Sequence, residues 1–171
     1  LAKELSSSNP VTLIDANEKN CLEAEALGLA VVRGNALNSD SLSSAKIEEA
    51  GTLITLTPNP QVNVMIAQRA RELFLVPDLR IHLPKKGNQE LTEIMNELAA
   101  KPLFASSVDI LEWDEKLLAN EVQTVSRTIE QTDVDTGLVL PLLVIRGQVK
   151  KLFSSQDLEP GDRVLTLSRS V

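Results

Sequence analysis

Residues 52–83 read TLITLTPNPQVNVMIAQRARELFLVPDLRIHL, and their hydrophobic period changes twice. Thr52 to Thr57 is a β-branched alternation, which reads as a strand. Pro58-Asn59-Pro60 stops it and starts a helix, because the missing proline N–H does no harm in a first helical turn. Val62, Ile66, Ala70 and Leu73 then fall at i, i+4, i+8 and i+11, one helical face. Pro77 to Leu83 returns to a strand pattern. Strands that alternate with helices through short connections make a parallel sheet with helices packed on it.

The same alternation extends in both directions. Upstream, Val11 to Asp15 is a short apolar run after the turn residues Asn9-Pro10, and Leu29 to Val32 is another. Asn17 can cap a helix that Gly28 ends, and Ser39 or Asp40 can cap one that reaches about Ala50. Downstream, Gly87 to about Lys101 is a helix with Leu91, Ile94, Met95 and Leu98 on one face. After Pro102 the pattern changes. Residues 102–120 are mixed, with Trp113 and the acidic pair Asp114-Glu115. Four strand-like stretches follow: Glu121 to Glu130, Leu138 to Arg146, Gln148 to Phe153 and Arg163 to Ser168. Asp135-Thr136-Gly137 and Glu159-Pro160-Gly161-Asp162 are turns between them. The expected organisation is an α/β domain over 1–101, a connector over 102–120 and a small β-rich domain over 121–171.

Composition removes several classes of function. Acids exceed bases by 24 − 17 = 7, so the chain repels phosphate backbones and nucleic acid is not an expected partner. Aromatic residues are 2% of the chain, too few for base-stacking platforms. Cys21 is the only cysteine and His82 the only histidine, which excludes an intrachain disulfide and a His/Cys zinc site. His82 sits in the alternation Leu79 to Leu83 and reads as a strand-end residue rather than a catalytic base. The longest apolar run, Leu138 to Ile145, contains Pro141 and falls far short of the roughly 20 residues of a membrane span. No two of the seven glycines form a G-x-G phosphate cradle. The chain opens at Leu1 within a helix-like pattern and reads as a piece of something longer.

In parallel α/β sheets ligands bind beyond the carboxyl ends of the strands. Asp15 follows the first strand and could accept hydrogen bonds from ribose hydroxyls; the plainer role is to stabilise the next helix N-terminus. Arg33-Gly34-Asn35-Ala36 follows the second, where Asn35 could touch an adenine or close a turn. Thr57-Pro58-Asn59 follows the third and leads into a helix N-terminus that favours an anion. Singly, each reads as ordinary turn chemistry; three polar strand ends on one edge favour a cleft.

These residues, in this order, resemble the TrkA-N or RCK family. The resemblance rests on Val11 to Asp15, Gly28, Val31-Val32, Gly34-Asn35-Ala36, Leu42, Ala50, Ile54, Thr57 and Asn63, within residues 1 to 83. The family pattern is roughly V-x-x-I-D, V-x-G-D-A, L, A and T-x-x-x-x-x-N. The family is a ligand-sensing Rossmann domain attached to bacterial potassium channels, Trk uptake systems and cation:proton antiporters. Leu142 to Gly147 and Leu158 to Leu165 are similar to its small C-terminal (TrkA-C) domain, and Leu103-Phe104, Val108-Asp109, Trp113 and Leu117 to a segment of antiporter tails. Three features depart from the pattern. The G-x-G-x-x-G and its strand are absent and would lie before Leu1. Asn35 stands where the family has Asp. The helix usual in the small domain is missing between Asp133 and Gly137.

The resemblance implies a non-enzymatic regulatory domain on the cytoplasmic face of the inner membrane, controlling a K+ or Na+/proton transporter. It implies a transmembrane partner portion, a homodimer, and NAD(H) or another adenine nucleotide held by Asp15, Asn35, Ala36, Thr57 and Pro58. A nucleotide-dependent oxidoreductase and a ligand-free dimerisation module are the alternatives. The Rossmann strand order leaves a place between Val11–Asp15 and Thr52–Thr57, expected to be filled by an upstream segment or by a partner chain's strand.

Overall fold

The computed structural model describes residues 1–84, 89–104, 108–129, 139–154 and 158–169. They divide into two units, Ala2–Leu103 and Phe104–Val171.

Parallel ladders carry the first unit. Strand β1 (Thr12–Asp15) pairs with β2 (Ala30–Arg33), and β3 (Thr52–Thr55) pairs with β4 (Asp78–Ile81), which in turn pairs with β5 (Lys101–Pro102). Helix α1 (Ala2–Leu5) precedes β1. Helices α2 (Glu18–Ala26), α3 (Ser39–Ser44), α4 (Pro60–Phe74) and α5 (Gln89–Glu97) lie between successive strands. This is the Rossmann-like arrangement the hydrophobic period implies. Strand β5 is new: two exposed residues carry no period from which to read it.

Local chemistry explains most helix limits. Asn17 caps α2 by accepting the N–H groups of Lys19 and Asn20, and Gly28 follows the helix at φ +78°. Asn59 caps α4 through the Val62 N–H, with Pro60 in the first turn. Two expectations need correction. Helix α3 is capped by Asn38 and stops at Ser44; Lys46 turns left-handed (φ 56°), and a single 3-10 turn, Ile47–Glu49, completes the path to Ala50. In α4 the inward face is Asn63, Val64, Ile66, Ala67 and Ala70, while Leu73 is exposed. Ile66 and Ala70 of the expected stripe are buried and Val62 is half-buried, but the stripe ends at a solvent-facing Leu73, and Val64 belongs to the core instead.

Leu42, Val64, Ala67, Ala70, Val76, Leu79 and Ile81 form that core, with Leu91 and Met95 from α5. Ile14 of β1 and Leu53 of β3 both pack against it, yet no ladder joins these strands among the described residues. The direct β1–β3 pairing that would contradict the Rossmann order does not form. The Gly34 N–H donates to the Asp15 carbonyl and the His82 N–H to that of Thr55. Successive residues of a strand point their backbone groups to opposite sides, so Ile14 and Ile54 aim theirs at the unpaired edges.

The second unit begins with α6 (Ile110–Leu118), capped by Asp109. Four antiparallel strands follow: β6 (Val122–Thr128), β7 (Val139–Arg146), β8 (Val149–Leu152) and β9 (Arg163–Arg169), in the order β6-β9-β7-β8. The β7–β9 register shifts between Pro141 and Leu143. A proline inside a central strand cannot donate to the ladder, and a bulge accommodates it. Ile129, Val144, Phe153, Leu158 and Val164 make one core cluster here. The turn at Glu159–Asp162 forms as expected, with Gly161 at φ +91°. The turn at Asp135–Gly137 and the missing-helix reading between Asp133 and Gly137 lie outside the described residues.

Candidate functional site at the carboxyl ends of the parallel strands

Asp15 ends β1 half-buried, and both carboxylate oxygens are engaged by the start of α2. Oδ1 accepts the Asn17 N–H at 2.8 Å and Oδ2 accepts Asn20 Nδ2 at 2.9 Å. Its carbonyl takes the Gly34 N–H at 2.9 Å and lies 3.3 Å from Cys21 Sγ. The helix-stabilising role is therefore real. A carboxylate has about four lone-pair directions, so two bonds leave capacity for further donors such as hydroxyls.

The same Gly34 bond brings the β2 end beside Asp15, in the register Asp15 opposite Arg33. Gly34 is constrained by space: a Cβ there would lie 2.5 Å from Ser41 Oγ of α3, so a larger residue must turn that hydroxyl aside. Asn35 is exposed and its Oδ1 accepts the Leu37 N–H at 2.9 Å, a side-chain turn that closes the loop. A carboxylate could accept the same N–H, so asparagine here keeps the loop and removes the charge. Ala36 is half-buried. Arg33 points its guanidinium to Glu25 at 2.9 Å and Glu18 at 3.6 Å, and the Glu25 hydrogen bond holds its pKa above the ordinary arginine value.

At the end of β3, Thr57 Oγ1 donates to the Asn59 carbonyl at 3.1 Å, and the exposed Pro58 sits between them. The residue that organises this loop is Asn63, fully buried in the second turn of α4. Its Oδ1 accepts the Thr57 N–H at 2.8 Å; its Nδ2 donates to the Thr57 carbonyl at 2.9 Å and the His82 carbonyl at 3.1 Å. One side chain thus ties the end of β3 to the end of β4. The spacing T-x-x-x-x-x-N, read above only as part of a resemblance, acquires a physical cause. Asn63 was not named as a site residue, although an amide on an otherwise apolar helix face signals a buried polar contact. His82 is buried at the β4 end with both main-chain groups in this network. The Thr55 hydroxyl, buried on β3, meets no hydrogen-bond partner among the described residues.

The structure therefore brings Asp15 and Asn35 to adjacent strand ends. Thr57 and Pro58 occupy the corresponding end of the other ladder, and no hydrogen bond links them to Asp15 or Asn35 among the described residues. No group of three or more His, Cys, Asp or Glu side chains that could hold a metal ion occurs among the described residues. What the arrangement offers is hydrogen-bond acceptors, amide donors and a capped helix start.

Comparison with known proteins agrees with this geometry. The TrkA-N domain model matches residues 1–101. An uncharacterized protein of Methanocaldococcus jannaschii is 36% identical over 69 residues, covering 40% of this chain and 14% of its own length. Trk system potassium uptake protein TrkA homolog 2 of Methanosarcina mazei is 28% identical over 129 residues, covering 73% of this chain and 28% of its own length. The chain thus spans well under a third of these relatives. The crystal structure of the TrkA-N domain of inner membrane protein ybaL from Escherichia coli superposes with a TM-score of 0.50 at 23% identity, covering 69% of this chain and 83% of that one. With its parallel ladders and the Asn63 clamp on the Thr57 loop, the chain belongs, over residues 1–101, to the TrkA-N domain family.

Proposed function

We propose that this chain is the cytosolic, non-enzymatic regulatory part of a monovalent cation transporter, an antiporter exchanging K+ or Na+ for protons in preference to a channel. The carrying observation is the TrkA-N match over 1–101, joined to three polar strand ends at the carboxyl edge. The potassium-uptake name of the Methanosarcina mazei relative supports the transport assignment. The resemblance of 103–117 to antiporter tails favours the antiporter. In this reading Asp15, Asn35, Ala36, Thr57 and Pro58 line an adenine-nucleotide cleft, with NAD(H) as the leading ligand. Residues 102–120 connect it to a TrkA-C-like β domain over 121–171.

Control follows from differential affinity. A ligand that binds one packing of two such domains better than another shifts their populations, and the shift biases an attached membrane portion at the cytoplasmic face of the inner membrane. No helix among the described residues is long and apolar enough to cross a membrane; in this reading the pore or carrier is supplied by other sequence of the same polypeptide or by a partner chain. The test is ion flux in proteoliposomes holding the complete transporter polypeptide, with NAD, NADH, ATP or AMP added on the domain side. A nucleotide-dependent change in flux is expected. Flux indifferent to all four, or nicotinamide-linked turnover by the chain, overturns the proposal.

A further inference from the structure

Strand β6 is an edge of the second unit's sheet, paired among the described residues only with β9. Its register sets Val122 opposite Arg169 and Thr128 opposite Arg163. Just beyond the strand, the Ile129 N–H donates to the Asp162 carbonyl at 2.7 Å, so Ile129 faces β9. Counting back by two, Arg127, Val125 and Gln123 also turn their backbone groups to β9; the Thr166 hydroxyl reaching the Val125 carbonyl at 3.2 Å agrees. Val122, Thr124, Ser126 and Thr128 therefore point N–H and C=O outward. None of these groups has a hydrogen bond outward among the described residues.

An open row of backbone groups is a template for another strand unless the sequence blocks it. The opposite edge, β8, is blocked. It holds a half-buried Lys150 and an exposed Lys151, so two copies brought edge to edge would juxtapose lysines. Strand β6 carries one charge in seven residues, Arg127, with no proline and no bulge. It is also complementary to itself. In an antiparallel pair with its dyad at Val125, Thr124 faces Ser126 and Val122 faces Thr128 of the second copy. All four are outward-pointing residues, so every such pair can exchange both hydrogen bonds. The intervening pairs are Val125 with Val125 and Gln123 with Arg127, an amide beside a guanidinium with no like charges opposed.

We propose that β6 is the self-association surface of this chain: two copies join their second-unit sheets edge to edge through antiparallel β6 strands centred on Val125. This locates the homodimer of the function proposed above but needs neither its nucleotide nor its transport part.

Sedimentation equilibrium of the 171-residue chain, from micromolar to about 100 μM, tests it. The wild type should dimerise. Thr124→Pro and Ser126→Pro remove outward N–H groups that the monomer does not use, so each should weaken the dimer at least about tenfold while circular dichroism stays unchanged. Should the proline variants unfold, the charge variants decide. Gln123→Glu sets a carboxylate against Arg127 twice per dimer and should tighten the dissociation constant severalfold. Gln123→Arg opposes like charges and should loosen it severalfold. A wild-type chain that stays monomeric throughout overturns the proposal, and so does a dimer indifferent to both charge variants. Either result leaves the flux experiment untouched.

Discussion

Replacing Asn63 by leucine is the most informative single change. The two side chains share a branched skeleton, but the leucine methyls are bulkier than the amide and cannot sit 2.8–3.1 Å from their neighbours, so at this fully buried site Asn63→Leu removes the hydrogen bonds and adds crowding. Three bonds disappear: those with the Thr57 N–H, the Thr57 carbonyl and the His82 carbonyl. Each contributes about 1 kcal/mol net. Half-buried Thr57 can recover some hydration. The hydrogen bonds sum to about 3 kcal/mol and the crowding adds about 1 kcal/mol or more, a large part of a typical domain stability of about 5–15 kcal/mol. Urea denaturation followed by far-UV circular dichroism measures it. Asn59→Ala is the comparison, because it removes only an exposed N-cap and should cost about 1 kcal/mol. A loss at Asn63 no larger than that at Asn59 would refute the clamp, since the buried amide would then contribute no more than a surface cap.

Three further outcomes are expected. In the second unit, Arg146 hydrogen-bonds Asp162, and the Glu159 N–H adds to it; together they hold the Asp162 carboxyl down at about 2. A depressed folded pKa makes this contribution full above the unfolded value near 4 and lost as pH falls toward 2. Thermal melts of the unit from pH 5 to pH 2 should therefore drop steeply, and Asp162→Asn should flatten that drop; identical profiles would contradict the linkage. In the first unit, hydrogen exchange in the complete polypeptide should protect the Ile14 and Ile54 amides as well as those of Leu13 and Leu53, because an upstream or partner strand is expected between β1 and β3. Faster exchange at Ile14 and Ile54 would mean that the place stays open. Calorimetry with NAD, NADH, ATP and AMP should give dissociation constants above about 1 μM for this chain, since no glycine-rich turn presents amides to a diphosphate; tighter binding by any of them would show the site misread.

Much of the molecule was legible in the sequence because the signals were local. Asn17, Asn59 and Gly28 act within one helical turn of themselves, and each limits a helix where its chemistry demands. The alternation of short β-branched runs with helical stripes was enough for parallel strands with helices between them. The polar strand ends Asp15, Asn35 and Thr57 were visible as residues, though not as a hydrogen-bonded arrangement. What local signals missed depended on distant partners. Leu73 and Met65 are as apolar as Val64, and only the position of the β3–β4 ladder decides which of them is inside. Pro141 could be read as an interruption, but its bulge depends on β9, some 25 residues later. Asn63 matters because His82, 19 positions away, brings its carbonyl to the same point. The order β6-β9-β7-β8 puts the last strand beside the first, which no period can encode. Period and capping are set by neighbours along the chain. Strand order, the inward face of a helix and the partners of a buried amide are set by which segments meet, and that is decided only when the whole core packs.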